Sequence, residues 1–93
     1  MSRRCVELQI HGRVQGVFYR SRARDAAAAR GLRGWVRNCD DGTVEAFAEG
    51  ADESIEDFIS WCHEGPSRAR VTRIDVREAE APADLGDTFI VQR

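Results

Sequence analysis

Over residues 5–11 apolar and polar side chains alternate, with Val6, Leu8 and Ile10 facing one way and Glu7, Gln9 and His11 the other. That is the period of a strand buried on one face. Gly12 and Gly16 then interrupt the pattern. Residues 21–30 are rich in Ala and Arg and stop at Gly31, a composition and a terminator that predict a first helix. Residues 34–38 and 43–49 read as extended runs joined through Asp41-Gly42, a dipeptide suited to a tight hairpin. Asp52 is the expected N-cap of a second helix, because Ile55, Phe58, Ile59 and Cys62 follow the i, i+3, i+4, i+7 stripe. Gly65-Pro66 ends that helix. Residues 71–77 alternate again through Ile74 and Val76, and residues 89–91 supply a short last strand after a loop over 81–87.

The order is therefore βαββαβ with a small β extension. It predicts a ferredoxin-like α+β sandwich, with an antiparallel sheet, both helices on one face and a short extra C-terminal strand. No linker or repeat divides residues 1–93, so a single domain is expected. The sheet's open face is expected to carry Glu7, Gln9, Arg37, Glu45, Phe47, Glu49, Arg73, Asp75 and Arg77 as a solvated charge lattice. Trp35 and Trp61 are assigned to the core and its edge.

Composition narrows the partners. Fourteen basic against 16 acidic residues give a net charge of −2, and this balance disfavours a nucleic-acid surface. Every basic residue is Arg. No apolar run approaches the roughly 18 residues of a membrane span, and Glu7 and Gln9 interrupt the segment after the basic start before a secretory core forms. No membrane association and a cytoplasmic location are expected. Cys5, Cys39 and Cys62 show no Cys-x-x-Cys spacing and do not combine with His11 or His63 at metal-ligand spacing, which suits free thiols and no metal site.

Chemistry concentrates between the first strand and the first helix, in Gly12-Arg13-Val14-Gln15-Gly16-Val17-Phe18-Tyr19-Arg20. Glycine allows successive N–H groups to converge, and a helix N-terminus adds unpaired donors and a positive dipole end. Arg20 at the exit can close such a nest with two charge-assisted bonds. Spacing alone leaves a second reading, a tight turn beside a solvated Arg20. Asn38 ends the second strand, where this loop and the hairpin approach each other. Its amide can orient a water but cannot act as a base, and a turn-capping role beside Asp40-Asp41-Gly42 is the alternative.

Taken together, Ile10-His-Gly-Arg-Val-Gln-Gly-Val-Phe-Tyr-Arg20 and the stretch G-W-V-R-N-C-D-D-G-T-V-E-A-F-A-E-G over residues 34–50 resemble the two signature segments of the acylphosphatase family. With the element order and Gly65-Pro66, the resemblance covers nearly the whole chain. Tyr19 departs from the Phe or Met commonest before the Arg. The resemblance implies hydrolysis of a carboxyl–phosphate mixed anhydride to carboxylate and inorganic phosphate, without metal or cofactor. It implies Arg20 as phosphate binder and Asn38 as the residue orienting the attacking water. Backbone N–H groups of Gln15, Gly16, Val17, Phe18, Tyr19 and Arg20 would supply the charge neutralisation that Mg²⁺ gives elsewhere. The expected partners are a small acyl phosphate and inorganic phosphate as product and inhibitor, with the protein a monomer.

His11 is close to the loop in sequence, but its outward parity makes it a surface residue rather than a base. His63 is placed as a partner of the second helix's C-terminal dipole. Cys39 lacks a basic neighbour on its own side, which argues against a nucleophilic thiol. An RNA-recognition module of the same order needs exposed aromatics on its central strands, where Phe47 stands between Glu45 and Glu49. A non-catalytic small-molecule or anion-binding regulatory domain remains the alternative, and turnover of an acyl phosphate separates it from an enzyme.

Overall fold

In the computed structural model, which describes residues 2–92, the alternating N-terminal run is a long strand, β1 (Arg3–Arg13). It is followed by α1 (Tyr19–Ala29), β2 (Arg33–Asn38), β3 (Val44–Ala51), α2 (Asp52–Glu64), β4 (Arg70–Glu78) and β5 (Phe89–Val91). The expected order and two-layer plan are borne out. Alternation places Val6, Leu8 and Ile10 of β1, Val36 of β2, and Val44, Ala46 and Ala48 of β3 on one buried face. Helix α1 presents Tyr19, Ala23, Ala26 and Ala27 to it, and α2 presents Ile55, Phe58 and Cys62. Helix α1 packs over β2 and β5, and α2 over β1, β3 and β4.

The sheet order is β4-β1-β3-β2-β5. Its first four strands pair antiparallel, as expected, but β5 lies parallel to β2, with Gly34 opposite Phe89, so the whole sheet is mixed. Strand directions explain this difference. Both β3 and β4 run antiparallel to β1, and β2 runs with it, so the chain leaves β4 at the end of the sheet where β2 begins. A strand laid beside β2 from that end must run with it.

The same directions collect the functional segments at the opposite end. There β1 feeds the loop over 14–18, β2 ends at Asn38, β4 starts, and β5 finishes.

The open face is the charge lattice expected. Arg3 and Arg33 both grip Glu49, Arg37 pairs with Glu45, Arg77 with Glu7, and His11 and Arg73 with Asp75. Trp35 corrects the core assignment. Val36 takes the buried side of β2, so Trp35 faces outward opposite Phe47, with ring centroids 5.9 Å apart and planes at 13°. Phe47 is buried beneath it, and the Arg37 guanidinium sits 5.4 Å from the Trp35 ring centroid. Parity outranks residue type here. Trp61 does border the core. Asp52 is likewise not an N-cap: Ala51 occupies that position without a side-chain bond, and Asp52 and Glu53 stand in the first turn, where they face the positive dipole end.

Candidate active site

Helix α1 begins at Tyr19, two residues before the predicted start, and its N-cap is Phe18 in the left-handed region at φ 62°, ψ 22°. A bulky residue holds that conformation only when its neighbours demand it. They do: Val17 and Tyr19 are buried on either side, while Phe18 is 78% exposed. The Tyr19 hydroxyl donates to the Cys62 carbonyl at 2.6 Å, so the residue that departs from the family pattern is fully accommodated. Burial holds its phenol well above the usual tyrosine range.

Two glycines shape the approach for different reasons. At Gly12, φ is 127° and a Cβ would stand 2.0 Å from the Arg70 carbonyl oxygen, so β1 and β4 touch backbone to backbone at the bulge. At Gly16, φ is 74° and the space around a Cβ is empty, so the turn needs glycine for the angle alone.

The turn leaves donors free. Among the described residues, no acceptor takes a hydrogen bond from the backbone N–H groups of residues 15–20. Neither helix has a side-chain cap, but α2 carries Asp52 and Glu53 in its first turn and α1 carries no acidic residue there. Its positive end is therefore open to an anion.

Arg20 stands in that first turn. Its Nη1 makes one long contact, 3.4 Å to the Gln92 carbonyl oxygen, and among the described residues it meets no carboxylate. Asn38 lies across from it, exposed at the end of β2. Gly16, Phe18, Tyr19, Arg20 and Asn38 line one cleft of about 370 Å³, closed on another side by Val91. Gln15 and Val17 do not line it, and Val17 points its side chain into the core. A wider hollow of about 650 Å³ runs along α2, but Asp52, Glu53, Glu56 and Asp57 line it and would repel a phosphate.

The side chain of Gln15 is the element that sequence reasoning missed. Its Nε2 donates to the carbonyls of Cys39 at 2.8 Å and Thr43 at 2.9 Å, tying the loop to the hairpin that carries Asn38. The hairpin is braced in turn, because Thr43 donates through N and Oγ1 to the Asp41 carboxylate at 3.0 and 2.6 Å. Those bonds hold the Asp41 carboxyl below its ordinary range. A loop glutamine belongs to no hydrophobic period, so no sequence signal marks the bond.

The remaining candidates lie elsewhere. His11 contacts Asp75 at 3.0 Å and Arg73 at 3.2 Å on the open face, and His63 is exposed in the last turn of α2. All three cysteines are free. Burial pushes the Cys62 thiol up to about 12 and raises that of Cys5, so neither offers a thiolate. Among the described residues, no group of three His, Cys, Asp or Glu is placed to hold a metal ion.

With this geometry in view, comparison with known sequences is decisive, since the family profile described as Acylphosphatase matches residues 6–91. The chain belongs to the acylphosphatase family. It is 57% identical to an acylphosphatase of an Acidovorax species over 82% of this chain and 76% of the relative. It is 53% identical to that of Methylococcus capsulatus over 94% of this chain and 95% of the relative. The solved acylphosphatase of Coxiella burnetii superposes with a TM-score of 0.90 at 34% identity, covering 97% of this chain and 93% of that one. The chain is thus an acylphosphatase in sequence and in fold.

Proposed function

We propose a metal-free route for the reaction of this acylphosphatase, hydrolysis of the carboxyl–phosphate anhydride of an acyl phosphate. Arg20 grips the phosphoryl group through its guanidinium fork, and the N–H groups of residues 15–20 bind its oxygens. Asn38 aligns a water for attack opposite the departing carboxylate. The leaving group has a pKa of about 4, so it departs without a general acid. A phosphoryl oxygen accepts the water's proton, so no histidine base is needed. Phosphoryl transfer rests on positioning and charge neutralisation, which this constellation supplies.

The observation that carries this reading is the shared cleft, in which Arg20 and Asn38 face the uncapped start of α1. The test is hydrolysis of a panel of acyl phosphates with a chelator present and inorganic phosphate added. Turnover should persist, and phosphate should inhibit competitively, as product and inhibitor in one. Loss of turnover in chelator, restored by Mg²⁺, overturns the metal-free route. Phosphate binding without any turnover would leave an anion-binding regulatory domain instead. We also read the protein as a cytoplasmic monomer without cofactor. Three unpaired cysteines favour a reducing compartment, and the exposed large apolar residues Phe18, Val76 and Ile90 lie singly along the chain. No described helix is long and apolar enough to cross a membrane.

A further inference from the structure

The arginines divide into two populations. Arg3, Arg4, Arg24, Arg30, Arg33, Arg37, Arg73 and Arg77 each contact a carboxylate. Arg13, Arg20, Arg22, Arg68 and Arg70 contact none among the described residues. The second group gathers where β1 ends and β4 begins, with Arg13 opposite Arg70 in the register. In a chain of net charge −2, the unneutralised arginines among the described residues thus gather at one end, around the candidate site. One phosphoryl group accounts for Arg20 and leaves the others over.

Two of the surplus guanidiniums share a groove. On the far side of Phe18, which also lines the Arg20 cleft, a second hollow of about 460 Å³ is walled by Arg22, Trp61 and Arg68, with Val17 and Gly65-Pro66 beside them. In-line displacement puts the attacking water and the leaving oxygen on opposite sides of phosphorus. Asn38 lines only the first cleft, so a water held there directs the leaving group away from it. The second groove adjoins the loop across Phe18 from that cleft, with aromatic walls for carbon and two fork-shaped cations for charge.

We propose that this groove receives the acyl group, and that Arg22 and Arg68 bind a second anionic group on it. The preferred substrate class is then an acyl phosphate whose acyl part carries its own negative charge. This inference rests on the assignment of the phosphoryl group to Arg20 and the loop.

The experiment compares 3- and 4-carboxybenzoyl phosphate with the matching methylbenzoyl phosphates, whose leaving carboxylates have similar basicity. At low ionic strength the carboxylate-bearing probe of better reach should show kcat/KM higher by about fivefold, carried mainly by KM, since two exposed ion pairs are worth that much. Added salt should erode the preference. In Arg22→Gln/Arg68→Gln the ratio should fall to about one. Both side chains are exposed and meet no carboxylate among the described residues, and circular dichroism with each single variant checks folding. Arg70→Gln removes a like charge at the same end but outside the groove, and should keep the preference.

Equal kcat/KM for the two probe types in the unaltered protein overturns the proposal, as does a preference that survives the double substitution. Equal loss in Arg70→Gln overturns the contact in favour of a diffuse field. The methylbenzoyl probes keep the two readings apart. If they are hydrolysed and Arg20→Gln abolishes that hydrolysis, the phosphate site stands whatever the charge preference shows.

Discussion

Arg20 carries a charge toward the cleft and Asn38 does not, so the two substitutions should fail differently. On the proposed route Arg20→Gln removes the cation that meets the phosphoryl group in ground state and transition state alike. Both phosphate affinity and kcat/KM should therefore drop, the latter by about a hundredfold or more. Asn38→Ala leaves the N–H groups and Arg20 in place, so phosphate affinity should stay within about threefold while kcat falls by about a hundredfold through loss of water alignment. Isothermal titration with phosphate beside steady-state kinetics distinguishes the pair, and near-normal kcat in the folded Asn38 variant removes that residue from the mechanism. On the proposed route the side chain of Gln15 works through Asn38 rather than on substrate, because its amide bridges the loop to the Cys39 and Thr43 carbonyls. Gln15→Ala should lower kcat more than phosphate affinity, at a stability cost of about 1 kcal/mol. Introduced into Asn38→Ala, it should cost little further kcat, whereas equal losses in both backgrounds would make it a general scaffold residue. Arg20 and Asn38 stood out because each sits within a segment that resembles a family signature, whereas spacing alone left a solvated Arg and a turn-capping Asn open. The Gln15 bridge did not stand out, since it depends on where a distant hairpin comes to rest.

At the scale of elements, periodicity carried most of the fold, and it failed where pairing rather than pattern decides. Alternation located β1 and β4, and the apolar stripe located α2. Nothing in Phe89-Ile90-Val91 indicates which strand it joins, and its parallel pairing with β2 follows only from the directions of the other strands. Trp35 was misplaced because its size argues for the core while its parity sends it to the open face. That face has an energetic role of its own through Glu49, which is nearly buried and gripped from β1 by Arg3 and from β2 by Arg33. The Arg3 bonds, seconded by Arg33, hold the carboxyl down at about 2. A depressed carboxylate contributes stability that is fully present above its unfolded value near 4.5 and is lost as pH falls toward 2. With one partner exposed to solvent, that contribution is about 1–2 kcal/mol. Glu49→Gln should be less stable by this amount at pH 7 and should lose less than the unaltered protein between pH 5 and 2.5. Urea unfolding across that range measures it, and identical pH profiles would remove Glu49 from the acid response. Since Glu49 lies on the face away from the cleft, kcat should change little.

The whole molecule couples its site to its stability, because the nest exists only when the chain is folded. Its donors come from the loop after β1 and the first turn of α1, with the hairpin and β5 closing the cleft. The unfolded chain offers phosphate no such convergence, so on the proposed reading phosphate binds the native state alone and should raise the unfolding temperature. At ten times its dissociation constant the gain is about 1.4 kcal/mol, or roughly 5–10 °C for a domain of this size. One core shared by both helices makes a single cooperative transition the expectation, so the shift is readable as one midpoint. Scanning calorimetry of three proteins then tests site and fold together. The unaltered protein and Asn38→Ala should shift alike with phosphate, because the nest is intact in both. Arg20→Gln should shift by less than about 2 °C at the same concentration, having lost the charge that closes the nest. Sulfate at equal ionic strength, a tetrahedral anion of similar size, should reproduce part of the shift, whereas chloride should give none. A uniform rise with every salt, or a full phosphate shift in Arg20→Gln, would mean that phosphate acts on the protein surface at large rather than at the start of α1.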